Sequence, residues 1–514
     1  MNPRTQPITD EAIANVINIA NVTTVTNITH QVSMVSTTPA TSTKPWAIAF
    51  QQPAPEFATT SLSVVSGTIP TGLRGTLYRN GPGRVSRGTR RVGHWFDGDG
   101  AILAVNFSDA GTTATYRYVQ TAGYQAEAKA DQFLFGNYGM TAPGAPWDWF
   151  GKPPKNVANT SVIAVTDRLL ALWEAGQPHA LDLQTLATVG LDDLGGLVGT
   201  RGAVLPYSAH PKRDPQTGDI YNFGVVIGKS AVLHLYRSNA SGTIRQQAAI
   251  ALKGVPFIHD FVMAGPYLII LMPPLQINPL PVLANLKSYS DVINWNPQQG
   301  TQILVIDRDS LEVVSRGETE PWFQWHFGNG WVDSDGAVVF DLVRFNDFRT
   351  NQYLKEVPTG QIQTPAQGTF WQLRLAPQTA TVIDMHCVVD RGCEFPVVSP
   401  IEVGQRSRFT YFSLHRPDVD RGQDLFGAIG RFDYETGTLT AADLGANCYP
   451  VEPIYAPDAV NPDQGWILTV VLDGDRQTSE VWVYASDRLD DEPVCRLALP
   501  SIIPPGFHGT WKAG

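Results

Sequence analysis

Apolar and polar residues alternate in short runs along most of this chain, and Gly, Pro, Asn and Asp punctuate the runs. Alternation with a period of two puts successive side chains on opposite faces of an extended backbone, and the breakers mark turns between strands. Residues 337–344, 370–375, 381–389, 408–414, 466–472 and 480–485 are predicted strands, with turns at 214–219, 333–336 and 433–437. Residues 75–83 read as a strand ending in a compact turn, and 94–102 as a second turn flanked by apolar residues. Around residues 255–274 two apolar, β-prone runs are joined by Gly265-Pro266, a strand hairpin that carries His259 inside its first arm. Helical periodicity is nearly absent, so little helix is expected.

Strand and turn continue from about residue 61 to the end of 514 residues, and a sheet that large must split or close on itself. A β-propeller therefore suits the pattern better than a single sandwich, with a length worth roughly seven to nine blades. Residues 1–45 are rich in Thr, Asn, Ser and Val without a period; they are expected to be a flexible leader, at most a weak helix over 11–19, ahead of a single domain over 46–514.

A net charge of −11 with no Lys/Arg block argues against nucleic acid as a partner. Cys387, Cys393, Cys448 and Cys495 form no Cys-x-x-Cys pair, which fits free thiols in a reducing compartment. No apolar stretch is long enough to span a bilayer, and a cytoplasmic protein is the default expectation.

The candidate chemistry lies in histidines. His30, His94, His179, His234, His386 and His415 read as core or turn residues, as lone histidines usually are. His210, His259, His326 and His508 differ: each stands among aromatic, proline or glycine residues at what reads as a strand end. They are far apart in sequence, yet inner propeller strands run along one axis, so one imidazole from each of several blades can meet at one metal. Four imidazoles with open positions suit Fe(II) taking up oxygen, and nitrogen ligands also suit zinc or copper. Glu174, Glu394 and Glu452 lie beside apolar residues where an unpaired carboxylate is costly. Metal-bound imidazoles commonly give their second N–H to such a group, and salt-bridged structural duty is the alternative.

Leu77-Tyr78-Arg79-Asn80-Gly81-Pro82-Gly83, Phe96-Asp97-Gly98-Asp99-Gly100, Ser208-Ala209-His210-Pro211, Phe257-Ile258-His259-Asp260-Phe261, His326-Phe327-Gly328-Asn329, Cys393-Glu394-Phe395-Pro396, Glu452-Pro453-Ile454 and His508-Gly509-Thr510-Trp511 together resemble the carotenoid cleavage oxygenases, in that family's order. The resemblance runs from about residue 45 to the end. It implies a seven-bladed β-propeller with loops and short helices forming a cap over an iron face. It implies Fe(2+) held by His210, His259, His326 and His508, with Glu174, Glu394 and Glu452 accepting hydrogen bonds from the imidazoles. It places Thr160 near the open coordination positions and Trp173, Phe257, Trp325 and Phe395 along a substrate tunnel. The implied reaction uses O2 as co-substrate to cleave a C=C double bond of a lipophilic polyene into two carbonyl products. Residues 170–179 and 190–196 are similar to members that cut the central 15,15′ bond of β-apocarotenals to give retinal. Trp325 stands where those relatives carry phenylalanine.

The apolar, proline-broken segment 273–286 is either a loop packed over the propeller face or a patch giving peripheral contact with a membrane. Two rival functions stay open. A stilbenoid-cleaving dioxygenase on the same scaffold would grip a phenol with Tyr116 or Tyr118 and Lys152 or Lys155, and a non-catalytic polyene-binding propeller would hold no stoichiometric iron.

Overall fold

Where the alternation predicts strands, strands form, and their burial follows their place in the sheets. The outer strand Ile244–Leu252 alternates along its length, while Leu169–Leu172 is buried on both faces. A computed structural model describes residues 43–199, 204–228, 230–417 and 422–514. The expected leader, with its weak helix over 11–19 and His30, lies outside the described residues as far as residue 42. Pro45–Phe50 forms a 3-10 helix whose Trp46 is fully buried and donates its indole N–H to Asp424 at 2.8 Å.

The fold is all-β and propeller-like. Most sheets are antiparallel meanders in which consecutive strands are neighbours, as in Ser161–Ala164, Leu169–Leu172, His179–Leu181 and Thr188–Leu191. An early and a late strand are exchanged between sheets. The late strand Gly509–Ala513 pairs with Gly75–Arg84 in the first sheet, and the early strand Ser63–Gly67 pairs with Cys495–Ala498 in the last. Opening the fold at that seam therefore means breaking two ladders.

The implied seven blades do not appear as seven separate sheets. Among the described residues the sheets of four or more strands number six, one of them with eight strands. In that sheet a parallel bridge between Ala264 and Gly330 joins Val262–Ala264 to Phe323–Val332 and so merges two meanders. Glycine permits the approach: a Cβ at position 330 would meet side-chain atoms of Val262 at 2.8 Å and Ala264 at 2.9 Å.

Three local expectations are corrected. Residues 75–83 do not end in a turn, because the strand Gly75–Arg84 runs straight through Asn80-Gly81-Pro82-Gly83. Its backbone is held extended by the ladder to Asp99–Ser108, and the Asn80 amide donates to the carbonyls of Ala158 and Ser161. The hairpin after residue 255 is Val262–Ala264 with Tyr267–Met272, so His259 sits on an irregular lead-in and not on a strand. Segment 273–286 is not simply a loop: Leu275–Ile277 pairs with Ile293–Trp295, and Leu280–Leu283 forms one helical turn.

Candidate metal centre

Each of the four singled-out histidines lies on or just ahead of a strand at the edge of its antiparallel unit. His210 precedes Lys212–Arg213, His259 precedes Val262–Ala264, His326 lies within Phe323–Val332, and His508 precedes Gly509–Ala513. Ring centroids are 4.4 Å apart for His210 and His259, 5.1 Å for His259 and His326, and 4.7 Å for His326 and His508. One ligand nitrogen from each lies within 4.8 Å of the others, and all four residues are buried.

The three glutamates stand behind these rings, on unequal terms. His326 Nδ1 is 2.6 Å from Glu394 Oε2, and His508 Nδ1 is 2.8 Å from Glu452 Oε1. An ionised carboxylate can only accept, so both rings donate through Nδ1–H and turn the Nε2 lone pair inward. Glu174 Oε1 is 3.3 Å from His259 Nδ1 and 3.5 Å from His210 Nε2, and makes a hydrogen bond with neither. Glu452 also accepts from Arg79 Nη1 at 2.9 Å and from the Gly509 amide at 2.8 Å.

Burial sets the protonation. It pushes His210 and His259 well below the usual imidazole range, with the neighbouring imidazoles adding to the effect. Burial also lowers His508, partly offset by Glu452; at His326 burial is the largest single influence and lowers the ring, but the charge and hydrogen bond of Glu394 together with the Asp260 and Glu452 charges raise it overall. Burial lifts Glu174 well above the carboxylate range, aided by the Asp260 charge. Glu452 resists burial and is lowered, by His508 and then Arg79.

These residues fit a metal ion. His210 Nε2 is a buried polar atom without a hydrogen bond, and His259 Nε2 and His326 Nε2 face each other at 3.2 Å. Mostly neutral imidazoles packed this closely with inward lone pairs are a donor set for a divalent transition metal. Protein hydrogen bonds alone leave that cluster unsatisfied.

Two cavities meet here. The larger, about 790 Å³, is lined by Thr160, Trp173, Phe257 and Trp325 together with Glu174, His259, Phe96 and Tyr138. Phe395 does not line it. It lies on a smaller cavity of about 90 Å³, its ring 5.3 Å from those of both His326 and His508. Thr160, Trp325, Phe96 and His259 line both and form the partition between them. Trp325 is fixed edge-on to His259 at 4.9 Å and donates its indole N–H to Thr350 Oγ1 at 3.0 Å.

Sequence reasoning missed the partners that hold the site. Arg79 stands inside the apolar strand run Leu77-Tyr78, and a cation in that setting is itself a sign of a buried acid elsewhere. Phe96 and Tyr138 carry no such mark. The phenol-gripping set of the stilbenoid alternative is mostly displaced. Tyr116 is a core residue, the Tyr118 hydroxyl donates to Ala54 and Gly83 carbonyls, and Lys155 is buried in ion pairs with Asp99 and Glu127. Of the four, Lys152 alone lines the larger cavity.

A propeller-like fold with four converging histidines, His259 among them lining a large apolar cavity, defines a metal-centred class of protein. Residues 50–513 match the family described as retinal pigment epithelial membrane protein, and the chain belongs to that carotenoid oxygenase family. It is 33% identical to the apocarotenoid-15,15′-oxygenase of Synechocystis, over 87% of this chain and 92% of that one. It is 26% identical to resveratrol cleavage oxygenase 1 of Aspergillus fumigatus, over 92% and 96%. A solved structure of cobalt-substituted Synechocystis apocarotenoid oxygenase superposes with a TM-score of 0.82 at 32% identity, over 91% of this chain and 98% of that one. The relatives are named oxygenases and dioxygenases, and the chain is an enzyme of the same kind.

Proposed function

We propose that this chain is a nonheme Fe(II)-dependent dioxygenase that uses O2 to cleave a C=C double bond of an apocarotenoid into two carbonyl products, with retinal formed by 15,15′ cleavage of a β-apocarotenal. The observation that carries this reading is the meeting of four buried imidazoles, one of which, His259, stands on the wall of a large apolar cavity. The name of the Synechocystis relative supports the substrate class, and the cobalt-substituted form of that enzyme supports an exchangeable metal.

His210, His259, His326 and His508 would hold the iron, which when bound supplies the oxygen-activating redox chemistry that side chains lack. Glu394 and Glu452 fix the tautomers of His326 and His508, and Glu174, 3.3 Å from His259 Nδ1 without a hydrogen bond, is the carboxyl nearest to that ring. Thr160 stands at the partition between the cavities, where it limits what can approach the metal. Trp173, Phe257 and Trp325 hold a rigid polyene and exclude water on one side, and Phe395 does so on the other. Their π-faces also favour positive charge developing along the polyene.

Residues 46–514 make up one oxygenase domain in this reading. The eight-stranded sheet counts as two blades held by a single bridge, which gives a seven-bladed ring. The cap is formed by the short helical segments Pro146–Trp149 and Leu280–Leu283 and adjoining loops, whose Trp149, Phe150, Val282 and Leu283 line the larger cavity. Leu280, Leu283 and Leu286 are more than two-thirds exposed, as are Trp147 and Phe150. This apolar rim is the peripheral membrane contact through 273–286 that a lipid-soluble substrate calls for in a cytoplasmic enzyme. Among the described residues no helix is long and apolar enough to cross a membrane. Leu280→Asp combined with Leu283→Asp is expected to lower liposome binding, and unchanged binding would remove the membrane part of the reading.

Aerobic incubation of the Fe(II)-loaded enzyme with a long β-apocarotenal, read by chromatography and mass, is expected to yield retinal. A different aldehyde would move the cleavage register. Turnover of resveratrol instead would favour the stilbenoid activity named for the Aspergillus relative.

A further inference from the structure

The four imidazoles come from four separate segments, and Glu394 and Glu452 each reach only one of them. A different carboxylate ties three of the segments together. Asp260 directly follows His259, and its side chain is 1% exposed. Its Oδ1 lies 2.8 Å from Nζ of Lys212, two positions beyond His210 on the segment that enters Lys212–Arg213. The same oxygen accepts the Phe261 amide at 2.8 Å, which fixes the carboxylate against its own backbone beside His259. Its Oδ2 accepts the Phe327 amide at 3.0 Å, and Phe327 directly follows His326. The Asp260 to Phe327 bond lies just ahead of the Ala264–Gly330 bridge, so a side-chain bond and a backbone bridge fix one register between the His259 and His326 segments.

We propose that Asp260 is a positioning residue for the metal centre, one carboxylate that sets the mutual placement of His210, His259 and His326, with Lys212 as its counterion. The proposal rests on the reading of the four histidines as metal ligands. A buried carboxylate with a full set of charge-assisted partners is rigid, and it transmits that rigidity to whatever its partners carry. The 3.2 Å approach of His259 Nε2 to His326 Nε2 is the distance this register maintains. Asp341 provides the comparison. It is also fully buried, but it bonds Tyr434 and Gln372 and none of the ligand segments.

The test uses the full-length protein and four variants, Asp260→Ala, Asp260→Asn, Lys212→Met and Asp341→Asn. Fe(II) affinity is read by competition with a chelator, and coordination geometry by the visible absorption of the Co(II)-loaded form. Asp260→Ala is expected to weaken Fe(II) binding about 10- to 100-fold, the range known for outer-sphere partners of metal ligands, and to shift the Co(II) band. Asp260→Asn, which keeps an acceptor for the Phe327 amide, is expected to recover part of both losses. Lys212→Met should shift the band less and in the same direction. Asp341→Asn should leave affinity and band at wild-type values. Wild-type affinity and spectrum in Asp260→Ala would overturn the proposal, and so would an equal band shift in Asp341→Asn. If Asp260→Ala does not fold, unchanged spectra in both Asp260→Asn and Lys212→Met would overturn it. A wild-type chain that takes up neither metal would overturn the metal reading itself, an outcome distinct from the others.

Discussion

At the scale of single residues, the site works through pairs in which one member has no meaning alone. The candidate ligands were legible because a histidine hemmed in by aromatic, proline and glycine residues is unusual and four recur. Their supports were less so: Arg79 meets Glu452 across 373 positions of sequence, and no local pattern announces such a pair. Phe395 was expected in the main tunnel and lies on the small cavity, because its left-handed backbone, φ 60°, turns the ring toward His326 and His508. The Glu394 to His326 bond gives a direct prediction. Glu394→Gln keeps an acceptor for Nδ1–H but removes the charge, and metal affinity is expected to fall about 10- to 100-fold. Chelator competition measures it. Unchanged affinity would mean that Glu394 serves the fold and not the centre.

At the scale of elements, alternation and short apolar runs between breakers found the strands, outer ones such as Thr381–Val389 and inner ones such as Phe409–Leu414 alike. The strand expected over 381–389 forms as Thr381–Val389, and that over 408–414 as Phe409–Leu414. Those signals could not find the lead-in segments that carry His210, His259 and His508, since an irregular stretch beside a propeller axis is as apolar as a strand. Nor does alternation reveal which strands touch between meanders. The contact between Val262–Ala264 and Phe323–Val332 depends on Gly330, and an alanine there must displace Val262 or Ala264. Gly330→Ala is expected to cost about 1–3 kcal/mol, as overpacking of a filled core does, measured by urea unfolding. A neutral outcome would show that this seam yields without strain.

At the scale of the whole molecule, stability should depend on pH through buried carboxyls that bond none of the four histidines. Burial raises Asp341 from 3.8 to about 7, against hydrogen bonds from Tyr434 and Gln372 that lower it. A carboxyl whose pKa is raised on folding keeps its proton in the folded state while the unfolded chain has lost it. The folded state then binds more protons, so this contribution to stability falls as pH rises from about 4 to about 7. Asp341→Asn should flatten the pH dependence of the unfolding midpoint across that window. An unchanged slope would assign the dependence to other groups, Asp97 among them, which burial also raises to about 7. Length and alternation together conveyed a closed, all-β architecture. The exchange of an early and a late strand and the fusion of two meanders were not readable, because they depend on pairings between distant segments.

The central claim is that His210, His259, His326 and His508 hold one metal ion. Elemental analysis of the purified chain, alone and with each histidine in turn replaced by alanine, tests it most directly. The account predicts about one iron per chain, falling to a small fraction in each of the four variants while His179→Ala, outside the group of four, stays loaded. Iron bound equally well by the four variants, or absent from the unaltered chain after loading with Fe(II), would contradict it.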